Sequence, residues 1–176
     1  DRVAVSGTVR YVSSSDVQGT IDGAVAVGVD PGDAKYLTGK CSTDLQLGPN
    51  YTIEAWIHPT QVGGWSRLVL QWGKVYAYHF ALKDGVVSLC HGQSDGQYIF
   101  CNGGAVTTDQ LQHIVGVARR SDEYPAQSTL TVYLNGRQTG TATFDGTIGR
   151  SSDALGIGNS GSGGGAGSQF RGYVDE

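Results

Sequence analysis

The chain has no methionine, only 4 prolines, and charged residues amount to 16% of its 176 positions. Each shortage excludes something. No window carries a sustained i, i+3, i+4, i+7 apolar stripe, so little or no regular helix is expected. No apolar stretch reaches about 18 residues, so no membrane insertion is expected. Basic residues form no patch and the net charge is −4, which argues against a nucleic-acid partner. No internal repeat is evident. No His-Glu-x-x-His or paired-cysteine metal motif occurs.

What is abundant is glycine, 28 residues in all, much of it punctuating the chain as Asp-Gly or Asn-Gly at 22–23, 84–85, 95–96, 102–103, 135–136 and 145–146. Between these points lie runs of strand length. In YTIEAWIHPT, Ile53, Ala55 and Ile57 alternate with Thr52, Glu54, Trp56 and His58, the period of a half-buried strand. Pro59 is expected to end it. Val75 to Leu82, Val86 to His91 and Gln97 to Cys101 read as a meander. His113 to Arg119 is apolar on both faces and is expected to be covered on both. Leu130, Val132 and Leu134 lead to a turn at Asn135-Gly136. Short strands at this spacing predict an all-β, two-sheet antiparallel sandwich or barrel formed by residues 1–176 as one domain. The Gly/Ser run 158–168 reads as a loop, with Phe170 and Tyr173-Val174 in a final strand. A start at Asp1 without Met suggests a piece of something longer.

Three cysteines make an odd count. A two-residue turn at Asp95-Gly96 would place Cys90 opposite Cys101, at roughly 5.5 Å between Cα atoms or somewhat less. Two readings follow: a Cys90–Cys101 disulfide, or two reduced cysteines packed side by side. Cys41 is left over as a small buried hydrophobe.

Thr52/Glu54/Trp56, then His113 to Val117, then Tyr133/Asn135/Gly136, then Gly172 to Glu176 occur in the order and spacing of one family. In these segments the chain resembles the laminin G-like members of the concanavalin A-type jelly rolls, with Gln112 where those members carry Trp. The resemblance implies a non-catalytic binding or adhesion module of a larger extracellular, periplasmic or cell-surface protein, with other domains of that parent as neighbours. It also implies a structural calcium shared between an N-terminal acidic residue and the closing aspartate. Asp16 and Asp175 are the expected pair, with Asp30 and Asp33 nearby in sequence. The plainer alternative is that these aspartates only form turns. Retaining hydrolases of this fold carry an E-x-D-x-x-E strand, and this chain has none, so it is not expected to be an enzyme.

Aromatic residues concentrate in the middle third. Trp65, Tyr78, His91 and Tyr98, with Asn102 to hold hydroxyls, are the candidate ligand-binding residues, since sugar rings stack on aromatic faces beside placed polar groups. Trp65, between Gly63-Gly64 and Ser66-Arg67, is expected to be an exposed loop platform. Trp56 and Trp72 are expected in the core. The histidines, His91 included, otherwise read as structural imidazoles within strands. The expected partner is a glycan, and the alternative is another protein met by an adhesion or spacer module.

Overall fold

A computed structural model of the chain describes residues 3–6, 10–11, 25–27, 36–39, 47–72, 76–93, 96–121, 127–145, 151, 153–159 and 166–175. The expectations for Asp16, Asp30, Asp33, Cys41 and the Trp72 side chain fall outside this set. Two seven-stranded antiparallel sheets face each other. Sheet A runs β1 (Val3–Ser6), β4 (Tyr36–Gly39), β13 (Leu155–Ile157), β6 (Trp65–Trp72), β7 (Tyr76–Lys83), β8 (Val86–Gly92), β9 (Tyr98–Ala105). Sheet B runs β12 (Arg137–Asp145), β11 (Gln127–Leu134), β10 (Gln112–Arg120), β5 (Tyr51–Gln61), β14 (Arg171–Asp175), β3 (Val25–Val27), β2 (Arg10–Tyr11). Among the described residues the only helical turn is a 3-10 turn at Ala166–Ser168. The all-β sandwich expected from the sequence is what forms.

Alternation builds the core. Ala55 and Ile57 of β5, Phe80 and Leu82 of β7, Leu89 of β8, Ile114 of β10 and Leu130 of β11 meet between the sheets, each 1% exposed or less. Phe170 and Leu68 complete the packing. β10 sits between β5 and β11, yet only one of its faces is covered. Ile114, Gly116 and Ala118 are buried, whereas His113, Val115 and Val117 are half-exposed. Its apolar outer side is β-branched valine, which suits a half-buried pleated surface as well as a covered one.

Two turns form as their dipeptides require. Asp84-Gly85 joins Lys83 to Val86, and Asn135-Gly136 joins Leu134 to Arg137, with all four central residues at positive φ. Three expectations change. β5 does not stop at Pro59 but runs to Gln61, because Pro59 lies opposite Gly172 at a bulge, where the ladder is interrupted and its missing N–H is not needed. Asn102-Gly103 is not a turn but lies within β9.

The third change concerns the β8–β9 connection, which is one residue longer than a two-residue turn. Gln93 N–H bonds Gln97 O at 2.8 Å, and Gly96 N–H bonds Gln93 O at 3.0 Å, with Gly96 at φ 85°. Cys90 therefore pairs with Phe100, and Leu89 with Cys101. A one-residue slip turns every side chain to the other face. Cys101 joins the core, Cys90 points to the outer side of sheet A, and both are free thiols. The expected Cys90–Cys101 bridge is absent for that reason.

Candidate functional site

Strand register decides which candidate residues share a surface. On the outer side of sheet A, Leu70, His79, Cys90 and Phe100 lie in one cross-strand row, and Ala81, Ser88 and Asn102 in the next. Trp65 opens β6 opposite Lys83 on this same side. It is a strand residue, not a loop residue, and it is partly buried. Gly63 and Gly64, both at positive φ, make the preceding turn. That turn is tied to the β7–β8 turn: Gly64 N–H donates to Asp84 Oδ1 at 2.8 Å, and Asp84 N–H to Gly64 O at 2.7 Å.

β6 and β9 are three strands apart, about 14 Å at ordinary strand spacing. The rings of Trp65 and Phe100 nonetheless come within 6.0 Å. Both side chains must therefore lean toward each other across β7 and β8. Together they roof over His79 and Cys90, which are 4% and 0% exposed although they face outward. Trp65 also meets the His79 ring at 5.1 Å, and Lys83 Nζ sits 5.4 Å from the Trp65 ring centroid. Burial, with the Arg67 guanidinium adding to it, lowers the His79 pKa to about 3. Burial also pushes the Cys90 thiol up to about 12, so it is no nucleophile at neutral pH.

The top of this roof is open. Phe100 is 43% exposed and Tyr98 36%, two residues apart on edge strand β9, with Asn102 exposed two residues further. Ser88 Oγ, directly opposite Asn102, is buried without a hydrogen-bond partner among the described residues. Trp65, Tyr98 and Asn102 thus share one face, as residues of a common site would.

Tyr78 and His91 do not. They pair across β7 and β8 on the inward side, with 3% and 0% exposure. Tyr51 Oη bonds His91 Nδ1 at 2.7 Å, and the His91 ring is stacked near Tyr51 and Phe144 at 5.6 and 5.8 Å. Tyr78 lies 6.1 Å from Tyr51. Burial lowers the His91 pKa to about 4 and raises that of Tyr51. Neither Tyr78 nor His91 is available to a surface ligand, because even-numbered β7 and odd-numbered β8 positions point between the sheets.

Phe100 was missed in the sequence reading. The alternation of Tyr98, Phe100 and Asn102 was the signal that could have found it. Trp56 is likewise not core. It is 37% exposed on the outer side of sheet B, as its place among Thr52 and Glu54 requires, and its ring packs against His113, tilted by 33° with centroids 4.8 Å apart. His113 Nε2 lies 3.4 Å from Glu54 Oε2. Asp175 stands opposite Trp56 on the same face. Among the described residues no three His, Cys, Asp or Glu side chains are placed to hold a metal ion. Asp175 alone cannot serve a hard cation that wants six to eight oxygens.

The profile of the laminin G-like group in the concanavalin A-like lectin/glucanases superfamily matches residues 30–176. The chain belongs to this superfamily. No curated protein matches the sequence. Among solved structures, the binding domain of botulinum neurotoxin DC in complex with SialylT superposes with a TM-score of 0.68 at 10% identity, over 98% of this chain and 40% of that one. The binding domain of Paraclostridial Mosquitocidal Protein 1 gives 0.66 at 14%, over 98% and 43%. The receptor binding domain of botulinum neurotoxin type G gives 0.63 at 10%, over 99% and 41%. At these identities the likeness is one of fold. This laminin G-like chain spans about two-fifths of the length of those structures.

Proposed function

We propose that this chain is a non-catalytic module that binds carbohydrate on the outer side of sheet A, across Trp65, Phe100 and Tyr98. The observation that carries the reading is the exposed pair Phe100 and Tyr98 in register with Asn102 and braced by Trp65. Apolar patches of this kind on a soluble domain mark interaction surfaces. Exposed aromatic faces beside the Asn102 carboxamide suit a sugar ring better than a wholly apolar partner. The names of the similar structures, binding domains of longer proteins and one in complex with SialylT, favour a binding role without assigning a ligand to the shared part. We place the module in an extracellular, periplasmic or cell-surface protein beside other domains, as its superfamily suggests. No helix of the described residues is long and apolar enough to cross a membrane.

The test is a glycan panel read by calorimetry. Phe100→Ala and Tyr98→Ala should each weaken the best ligand by about 10-fold or more, the scale of a lost stacking contact at a binding hot spot. Tyr98 is exposed and lies outside the roof, so Tyr98→Ala should keep the melting temperature within about 2 °C, whereas Phe100→Ala also uncovers Cys90 and should lower it by more. Binding that survives both changes sinks the proposal. Trp65→Ala is less clean, since it also unroofs His79 and Cys90.

A second reading has its own observation. Trp56 lies exposed on the middle strand of sheet B, tilted against His113, and suits contact with another protein. Trp56→Ala would then disrupt that contact and leave glycan binding intact.

A calcium staple formed by Asp175 with Asp16 belongs to the same proposal. Saturating calcium should raise the melting temperature and chelator reverse it, because a ion bound only by the native state stabilises by mass action. An identical melt in calcium and chelator removes the staple.

A further inference from the structure

A cleft of about 130 Å³ opens at one end of the sandwich, lined by Gln61, Val62, Gly63, Ser66, Gly167, Gln169 and Arg171. Four of the seven carry hydrogen-bonding side chains, one is a cation, and none is a carboxylate. Among the described residues no acidic group pairs with the Arg171 guanidinium. Half-buried in the cleft wall and without an acidic partner among the described residues, the Arg171 guanidinium is open to an anionic ligand. The backbone also aims it. The β5–β14 register shifts between Arg171 and Gly172, and Gly172 sits at φ 145°, where a Cβ would strike the His58 carbonyl. Bulges of this kind re-aim a neighbouring side chain. Arg171 pairs across the strands with Gln61, while the Arg67–Gln169 bridge ties the opposite wall to β6.

We propose that this cleft is an anion-recognising subsite for a carboxylate-bearing saccharide, with Arg171 gripping the carboxylate and Gln61 and Ser66 meeting ring hydroxyls. The proposal rests on the carbohydrate reading above. Guanidinium and carboxylate match as planar, two-pronged partners. The polar lining favours a hydroxylated ligand over an apolar one, and the volume suits one acidic substituent. Gly63 and Ser66 flank Trp65 in the chain, so cleft and aromatic roof share the β5–β6 turn.

The experiment compares two probes by calorimetry: a glucuronate-containing tetrasaccharide, and the same tetrasaccharide with its carboxylates reduced to alcohols. The unaltered protein should bind the acidic probe about 10- to 100-fold more tightly, the scale of a charge-assisted pair. Raising the salt should shrink the gap. Arg171→Gln should erase the preference while leaving the reduced probe's affinity and the melting temperature unchanged. Arg171→Lys should restore part of it, since the charge returns without the fork. Equal binding of the two probes, or a preference that outlasts Arg171→Gln, overturns the cleft and spares the aromatic surface. If neither probe nor any panel glycan binds, the carbohydrate reading falls and takes the cleft with it. Arg171-dependent binding of an acidic peptide, with no response to the saccharide, overturns the saccharide assignment.

Discussion

Gly140→Ala should lower the melting temperature by about 10 °C, and Gly140→Val should prevent folding. Strands β9 and β12 are the outer edges of different sheets, and they cross backbone to backbone. A Cβ on Gly140 would fall on the Asn102 carbonyl, and one on Gly103 would fall on the Thr139–Gly140 peptide. Neither obstacle is a side chain that can swing away. The strands would have to part, and Val132, Leu134 and Cys101 beside the crossing would lose packing. Overpacking of this kind costs about 3 kcal/mol or more. For a domain of this size 1 kcal/mol corresponds to about 2–4 °C. Gly48→Ala is the control, because nothing lies within 4 Å of its added carbon, and it should shift the melt by no more than about 2 °C. Equal melting of the two alanine variants would show that the crossing yields at little cost.

That crossing also explains what the sequence could and could not convey. Local chemistry was legible: Asp84-Gly85 and Asn135-Gly136 are type I′ turns, and the alternation from Tyr51 to Ile57 sorts inward from outward residues correctly. Asn102-Gly103 has the same dipeptide chemistry and yet stays in a strand, because Gly103 is needed for a contact with a strand 37 residues later (Gly103 to Gly140). Long-range contact of that sort leaves no local signature. The β8–β9 turn shows how small an error suffices. Reading two residues in place of three moves Cys90 opposite Cys101 and obscures Phe100. The chemistry of Tyr78 and His91 suits a ligand site, but chemistry does not say which face a strand residue takes until the register is known. Trp56 was the opposite case. The alternation already places it outside, and at a surface position of a strand the hydrophobicity of a single Trp does not override that placement.

Two buried imidazoles should make the domain lose about 4 kcal/mol of stability between pH 7 and pH 5. His79 lies under the Trp65–Phe100 roof, and its pKa is lowered to about 3, by burial first and by Arg67 second. His91 lies between the sheets against Tyr51 and Phe144, with Nε2 buried and unbonded among the described residues, and burial lowers it to about 4. In the unfolded chain both titrate near 6.5. The folded state therefore stays neutral where the unfolded state takes up a proton on each. The stability these sites contribute is fully present above pH 6.5 and is lost as pH falls from there toward the folded values. Between pH 7 and pH 5 each imidazole contributes about 2 kcal/mol to the loss, before most carboxylates begin to protonate. Chemical denaturation across that range should show the slope, and His91→Gln, which keeps an acceptor for Tyr51, should remove about half of it. A denaturation midpoint that does not move between pH 7 and pH 5 would mean that both imidazoles reach water in the native state. For the proposed binding through Phe100, the consequence is direct: folded His79 stays neutral until the pH nears about 3, so affinity at the aromatic surface should hold between pH 7 and pH 5 while stability falls.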